Sequence, residues 1–342
     1  CSRDAGGKPY SIDSYVIDTV HVYSILCPHG DSGWEFETYN GQVGIAFRSI
    51  LDKIKPDIVH FHCIQRLTCS IVFETDMKKI PYIMTAHDSW CFSDNQFLIN
   101  EHGVVETYDY SSPLIYQTGR MKDLRKVLFN ADVITSVSED FNSFLVDSGI
   151  HDPIVVENGV SDITVVPRVS QNYDKVRIAH IGGNSFHKGI NLVRRAFLSD
   201  HFENIELTVI DHSFQNGQEE FHSWGSNRVH FRAKFKQEDI AILYSEYDII
   251  VAPSIWPESY GLVTREATIS GCWVITSNMG AIGNDIVDGE NGFIVDVKSV
   301  DSLASALNVV NSNPGKFKKP PEYIPRLFQN PKILMVDDAK VV

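Results

Sequence analysis

Short apolar, β-branched runs alternate with stretches of helical spacing along most of the chain. "DIVHFHC" (57–63), "YIMTAH" (82–87), "DVITSVS" (132–138) and "IVVENG" (154–159) each give way to polar or glycine turns, and "GRMKDLRKVLFNA" between them has apolar residues at helical intervals. A second series runs through "VRIAHIGG" (176–183), "IELTVID" (205–211), "RVHFRA" (228–233), "YDIIVAPS" (247–254), "CWVITSN" (272–278) and "GFIVDV" (292–297). Helices are predicted near 188–199, 237–246, 260–270 and 299–310. Such alternation predicts parallel sheets covered by helices on both faces. The chain therefore divides into an α/β domain over 1–165 and a second over 166–318, joined around the proline-bearing "ITVVPRVSQNYDK". Two Rossmann-like, doubly wound domains facing a central cleft follow, with ligands beyond the carboxyl ends of the strands.

The two ends modify this picture. "CSRDAGG" reads as the exit from a strand, so the first domain looks incomplete at its N-terminus. The tail over 319–342 carries "PKILMVDDAKVV", strand-like over 332–337. Either the chain is a fragment of a longer or tandem protein, or its last strand completes the first sheet beside the 57–62 strand.

The composition is that of a folded chain: 43% hydrophobic and 22% charged over 342 residues. No run approaches the 18 or so apolar residues of a membrane span, and the N-terminus lacks a signal-peptide layout. The net charge is −14, with 12 basic and 23 acidic residues up to Val165. That balance argues against a nucleic-acid partner and leaves room for a local cationic pocket in the second half. Cys1, Cys27, Cys63, Cys69, Cys91 and Cys272 form no CxxC pair or metal-ligand cluster. They are read as reduced core residues of a cytoplasmic protein, and no metal site or cofactor is expected.

The most informative stretch is "PESYGLVTREATISGCWVITSNMG" (257–280). A helix starting near Tyr260 would leave the amides of Ser259 to Val263 unpartnered and so create an anion site. Gly261 lets an anion approach the main chain. Glu258 and Glu266 would bracket that anion, since the helix rises about 9 Å from Tyr260 to Glu266. Carboxylates accept well from paired hydroxyls, so the layout suits a diphosphate with hydroxyls at both ends: a nucleotide-sugar. In "HIGGNSFHKG" a strand leads into the Gly182–Gly183 turn, and Lys188 stands ready to neutralise the diphosphate. The turn matches neither a Walker A loop nor a dinucleotide fingerprint. His60 and His62 share one face of their strand and are read as packing. Arg120, Lys122, Arg125 and Lys126 make a basic helical patch, read mainly as a solvated face and otherwise as a peripheral contact with an anionic membrane or lipid-linked acceptor.

The same stretch resembles the donor-site signature of retaining GT-B glycosyltransferases of the family-4 type: two glutamates with seven residues between them, a Tyr-Gly-Leu core and a later Asn-Gly turn. "KPDIVHFH", "YIMTAHD", "VITSVSEDF" and "VVENGV" resemble, in order, that family's first-domain strands, and the likeness runs from about 55 to 310. The resemblance implies that Glu258 holds donor-sugar hydroxyls, the amides of Ser259, Tyr260, Gly261 and Leu262 hold the distal phosphate, Glu266 binds the ribose diol and Lys188 the diphosphate. It implies that His87 faces the transferred sugar. The family's Gly-Arg-Leu turn reads Gly182-Gly183-Asn184 here, so its second cation is missing; Arg232 and Lys234 are the candidate substitutes. The implied activity is sugar transfer with retention from a nucleotide-sugar to a glycan, lipid-linked or protein acceptor, without a metal. A nucleotide-sugar epimerase and a non-catalytic donor-binding subunit are the alternatives. A retaining glycosidase would need its carboxylates about 5 Å apart, which the chain spacing disfavours.

Overall fold

The computed structural model describes residues 1–3, 7–28, 37–93, 97–100, 104–105, 119–160 and 174–323. The chain divides into two units, one formed by Cys1–Leu98 and Glu106–Glu157, the other by Ile99–Val105 and Asn158–Val342. The main break thus falls at Glu157/Asn158, ahead of the expected 165/166. The 332–337 segment lies outside the described residues.

In the first unit the order is β1 (Ser2–Arg3), β2 (Ile12–Ile17), β3 (Val20–Leu26), α1 (Gly41–Ile54), β4 (Val59–His62), α2 (Ser70–Met77), β5 (Tyr82–Ala86), α3 (Gly119–Phe129), β6 (Val133–Ser136), α4 (Glu139–Asp147) and β7 (Ile154–Val155). Strands β4-β5-β6-β7 form a parallel sheet in that order, and β1-β3-β2 form a separate three-stranded sheet. The β2–β3 hairpin, with Ile17 opposite Val20, escaped the sequence reading. Helix starts follow local chemistry. Asn40 caps α1 by accepting from the amides of Gln42 and Val43, and Ser138 caps α4 through Phe141 N. Arg48 grips Glu74 with two nitrogens at 2.6 and 2.7 Å, tying α1 to α2.

The second unit runs β8 (Val176–Ile181), α5 (Ile190–Ser199), β9 (Ile205–Asp211), β10 (Glu219–Trp224), β11 (Asn227–Ala233), α6 (Ile240–Ser245), β12 (Ile249–Ala252), α7 (Leu262–Ile269), β13 (Trp273–Ser277), β14 (Gly292–Val295), α8 (Val300–Ser312) and α9 (Pro314–Phe317). Its seven-stranded sheet has the order β10-β11-β9-β8-β12-β13-β14. All pairs are parallel except β10–β11. The alternation of buried residues produces two cores. Ile178, Leu207, Val251 and Ile275 pack with Phe197 of α5 and Leu307 of α8. Their strand neighbours Ala179, Ile210, Ile250 and Val274 pack with Tyr244 of α6 and Ala267 of α7. Successive strand residues face opposite sides, so helices cover both faces of this sheet. A fully buried side chain of this size contributes roughly 2 kcal/mol.

Strand β10 had no sequence signal, because five of its six residues are exposed and only Trp224 turns inward. The hairpin closes through Gly225, whose φ of 61° suits glycine. Three further expectations are corrected. Strand β7 stops at Val155, short of the predicted 159. Cys1 and Cys63 are exposed, unlike the buried Cys27, Cys69 and Cys272. The basic patch on α3 is not a solvated cluster: Arg120 donates to the carbonyls of Trp90 and Ser93, and Arg125 stacks over Phe129. Only Lys122 and Lys126 of the four are exposed, and Lys126 lies over the ring of Phe73. Among the described residues no helix is long and apolar enough to cross a membrane.

Asn227 fastens the β10–β11 hairpin to α5. Its buried side chain donates to the carbonyls of Phe197, Asp200 and Trp224 and accepts from Phe202 N at 2.9 Å. Removing it strands several buried backbone groups, each worth about 1–3 kcal/mol. Asn227→Ala is expected to destabilise the second unit by about 3 kcal/mol, read as a lower midpoint in urea followed by tryptophan fluorescence.

Candidate functional site

The second sheet changes winding direction at β8: the next strands, β9 and β11, lie to one side, and β12, β13 and β14 to the other. The loops after β8 and β12 leave adjacent strands at this switch point, where open α/β sheets bind ligands. Gly182, Gly183 and Lys188 occupy the first loop; Trp256 and Glu258 occupy the second.

Main-chain contacts join these loops. The carbonyl of His187 accepts from Ile255 N at 2.9 Å and from Ser254 Oγ at 3.0 Å. The tightest approach is at Gly189 (φ 83°), where a β-carbon would lie 2.0 Å from the carbonyl oxygen of Pro253. Glu258 is fixed through its backbone, accepting from Ala281 N at 2.8 Å and donating to Met279 O at 3.0 Å. The effect is to set the Glu258 side chain against Lys188, with Nζ and Oε1 2.6 Å apart. The Glu258 side chain is 8% exposed and the Lys188 side chain 34%. The Lys188 ammonium also lies 5.6 Å from the centre of the Trp256 ring. Gly182 leaves room for the lysine stem, since a β-carbon there would meet Lys188 Cβ at 2.8 Å.

Helix α7 starts at Leu262, two residues later than the sequence suggested, because Gly261 takes a left-handed φ of 80°. No side chain caps it, so the amides of Leu262, Val263 and Thr264 are the ones without intrahelical partners. Ser259 and Tyr260 precede the helix, and Tyr260 is buried. The turn is held from beneath by Arg265, which the sequence reading missed. Its guanidinium donates to the carbonyls of Tyr260 and Ala281, pairs with Asp285 at 3.0 Å and stacks 3.8 Å from the Tyr260 ring. Burial raises the Asp285 carboxyl above its usual range, and Arg265 works against that shift.

Glu266 sits inside α7, 6% exposed, and accepts from Tyr244 Oη at 2.8 Å. Burial raises the Glu266 carboxyl above its usual range, with the tyrosine bond opposing. Neither glutamate is thus a solvated charge on a helix face. Two histidines near Lys188 also escaped notice. His180 is buried, its Nδ1 2.9 Å from Val251 O, and burial pushes it down to about 4. His187 is lowered to about 4 by burial and then by Lys188. Both are neutral at pH 7, leaving Lys188 the nearby positive charge. A lone histidine in an apolar strand carries no sequence signal for this.

The candidate substitutes for the missing cation lie elsewhere. Arg232 pairs with Glu246 at 2.6 Å and stacks over Phe235. With the exposed Lys234 it lines a recess of about 260 Å³ whose walls include neither Lys188 nor Glu258. Asn184, at the position in question, donates to Asp211 at 2.6 Å. His87 belongs to the first unit, directly after β5, and its Nε2 lies 2.7 Å from His62 Nδ1. The packing assignment for His60 and His62 is overturned: both are exposed, and His60 Nε2 lies 2.7 Å from Thr85 Oγ1. Among the described residues no group of three or more His, Cys, Asp or Glu is placed to hold a metal ion.

Comparison with known proteins covers both units. The family described as Glycosyltransferase Family 4 matches residues 13–162, and that described as Glycosyl transferases group 1 matches 166–326. D-inositol 3-phosphate glycosyltransferase of Rhodococcus jostii is 33% identical over 103 residues, 30% of this chain and 23% of that protein. The match therefore spans about a quarter of that relative. An uncharacterised 42.6 kDa protein in the cps region of Klebsiella pneumoniae is 22% identical over 81% of this chain and 72% of its own length. Among solved structures, sucrose-phosphate synthase from Thermosynechococcus elongatus superposes with a TM-score of 0.66 at 18% identity, covering 96% of this chain and 80% of that one. Anabaena HepE in complex with UDP and glucose gives 0.62 at 16% identity, covering 91% and 83%. With both units matched in order and the fold shared, the chain belongs to the GT-B glycosyltransferases of the family-4 type.

Proposed function

We propose that this protein is a retaining glycosyltransferase that moves a sugar from a nucleotide-sugar to an acceptor hydroxyl. The observation that carries the reading is the 2.6 Å Lys188–Glu258 pair beside the uncapped start of α7. Neither partner is committed to the hydrophobic core, and each can exchange its contact for a matching one on the donor. Lys188 moves to the diphosphate while Glu258 accepts from sugar hydroxyls, so the buried carboxylate is never left bare. Leaving it bare would cost several kcal/mol. The amides at the start of α7 receive the distal phosphate, and Glu266 accepts from the ribose diol with the carboxylate oxygen that Tyr244 does not hold.

In the transfer, the bond between the anomeric carbon and the phosphate oxygen breaks and a bond to the acceptor oxygen forms on the same face. The acceptor proton passes to the departing phosphate. Lys188 and the α7 amides absorb the charge that develops there. The route draws its positive charge from the chain itself, with no metal or cofactor taking part. The absence of a guanidinium at Asn184 favours a second reading, a donor-binding subunit without turnover. The setting proposed is surface polysaccharide or glycoconjugate synthesis with a glycan, lipid-linked or protein acceptor on the cytoplasmic side. Relatives in a Klebsiella pneumoniae cps region and a Bacillus subtilis spore coat protein are in keeping with that.

The test is nucleotide release from a panel of UDP-, GDP- and ADP-sugars, with and without acceptor glycans. Wild type is expected to release nucleotide from one of them, and Glu258→Ala to lose that turnover on the order of 10²-fold while still binding free nucleoside diphosphate. Equal rates in the two proteins remove Glu258 from the mechanism. Donor binding without release supports the binding-subunit reading, and epimer formation without acceptor supports the epimerase. For Lys188→Ala, calorimetric titration with nucleoside diphosphate is expected to give about 10- to 100-fold weaker binding, the worth of a charge-assisted hydrogen bond; unchanged affinity excludes Lys188 as the phosphate ligand.

A further inference from the structure

Strand β8 ends unevenly at the switch point. On one side it stays paired with β9 as far as Ile181, opposite Ile210. On the other, its pairing with β12 ends at Ala179, opposite Ile250, although β12 itself runs on to Ala252. The carbonyl of Val251, just past that end, meets a side chain instead: His180 Nδ1 lies 2.9 Å away. A carbonyl can only accept, so the proton of this bond is on Nδ1. His180 is 1% exposed. Burial, opposed by the Val251 bond, lowers it to about 4, with Lys188 adding to the shift and the Gly183 main chain opposing. The ring is neutral at pH 7, and Nε2 is then a bare acceptor. No hydrogen bond from the described residues reaches that nitrogen, and an unmet polar atom at such depth is costly.

Nε2 faces the glycine turn. A β-carbon on Gly182 would lie 3.1 Å from it, 2.8 Å from Lys188 Cβ and 3.2 Å from Lys188 Cγ. The imidazole and the lysine stem thus meet across the bare main chain of Gly182, and Cγ is three bonds from the ammonium. We propose that His180 Nε2 is the second acceptor for the Lys188 ammonium, the one it takes up when it leaves Glu258 for the diphosphate. In the free chain one oxygen of Glu258 holds Nζ at 2.6 Å, and an ammonium has three protons to place. Phosphate oxygens above and a ring nitrogen on the floor of the loop together replace the carboxylate, so the cation is held at a fixed height against the anion. His180 is a positioning residue in this arrangement, acting on the ligand through Lys188. The Val251 carbonyl fixes the tautomer, and the tautomer supplies the acceptor. A protonated ring could not play the part, because an imidazolium offers no acceptor and repels an ammonium. Gly182 is required for the same reason: a side chain there would stand between the ring and the lysine stem.

The inference rests on the reading that Lys188 is the diphosphate ligand, and the experiment separates the two. His180→Asn keeps an amide donor near the Nδ1 position and deletes the Nε2 acceptor, whereas His180→Gln does the reverse. With UDP, GDP or ADP, whichever wild type binds, His180→Asn is expected to keep the wild-type urea midpoint and to bind about five- to tenfold more weakly, one hydrogen bond's worth. His180→Gln is expected to lose stability and to bind more tightly than His180→Asn. In ¹⁵N spectra of the full chain, His180 should show a protonated Nδ1 and a bare Nε2. Saturating nucleoside diphosphate should move the Nε2 signal in wild type and leave it in place in Lys188→Ala; this measurement needs neither His180 variant to fold. Wild-type affinity in His180→Asn, with an Nε2 signal that ignores the nucleotide, overturns the second-acceptor role while Lys188→Ala still binds weakly. A protonated Nε2 in the free chain overturns it as well. Wild-type affinity in Lys188→Ala instead removes Lys188 from the phosphate, and the role of His180 goes with it.

Discussion

A buried carboxylate facing an ammonium at the strand switch point is the constraint around which the second unit is arranged. Glu258 is 7% exposed, and an unpartnered charge at that depth is costly. Lys188 comes from a loop 70 residues away in sequence, so the two loops must be registered closely. The glycines after β8, the carbonyl of His187 and the backbone bridge between Glu258 and Gly280 all serve that registration. In the absence of a ligand the pair satisfies itself. A free sugar would ask Glu258 to leave its cation, and free phosphate would ask Lys188 to leave its anion. On the proposed reading, a nucleotide-sugar carries both chemistries and resolves both exchanges together.

The same economy explains why α7 begins where it does. Gly261 is left-handed, and a β-carbon there would lie 2.8 Å from Ile282 Cα. The helix cannot start earlier without another backbone path. Arg265 then fastens the turn from inside, with Asp285 balancing its charge at 3.0 Å. Thr264 adds a hydroxyl 2.9 Å from each of the carbonyls of Gly261 and Ile282. Residues of the helix and of the loop after β13 thus hold the turn from several directions, and the amides at its mouth are pre-aimed rather than gathered by a ligand.

Much of this was legible in the sequence where the information is local. The strand and helix alternation, the glycine turn after Ile181 and the spacing of Glu258, Gly261 and Glu266 all speak within a few residues of themselves. What stayed hidden was written between distant segments. Tyr244 on Glu266, Asp211 on Asn184 and Glu246 on Arg232 depend on tertiary neighbours that periodicity does not reveal. Strand β10 was missed because an edge strand with one inward residue has no apolar alternation to detect. His60 and His62 were assigned to packing because a shared strand face says nothing about whether that face is covered.

The Asn184–Asp211 contact has a wider consequence. Where a guanidinium would supply a planar, two-pronged template for phosphate, this turn supplies a neutral amide already bonded to a carboxylate. Lys188 contributes a point charge without direction. On the proposed reading, any angular discrimination at the donor's phosphates comes from peptide groups, whose aim is set by backbone torsions and not by side-chain identity. Such a site depends on its backbone path. Its vulnerability lies in the few positions, Gly261 and Gly280 among them, where a single added methyl would redirect the main chain itself.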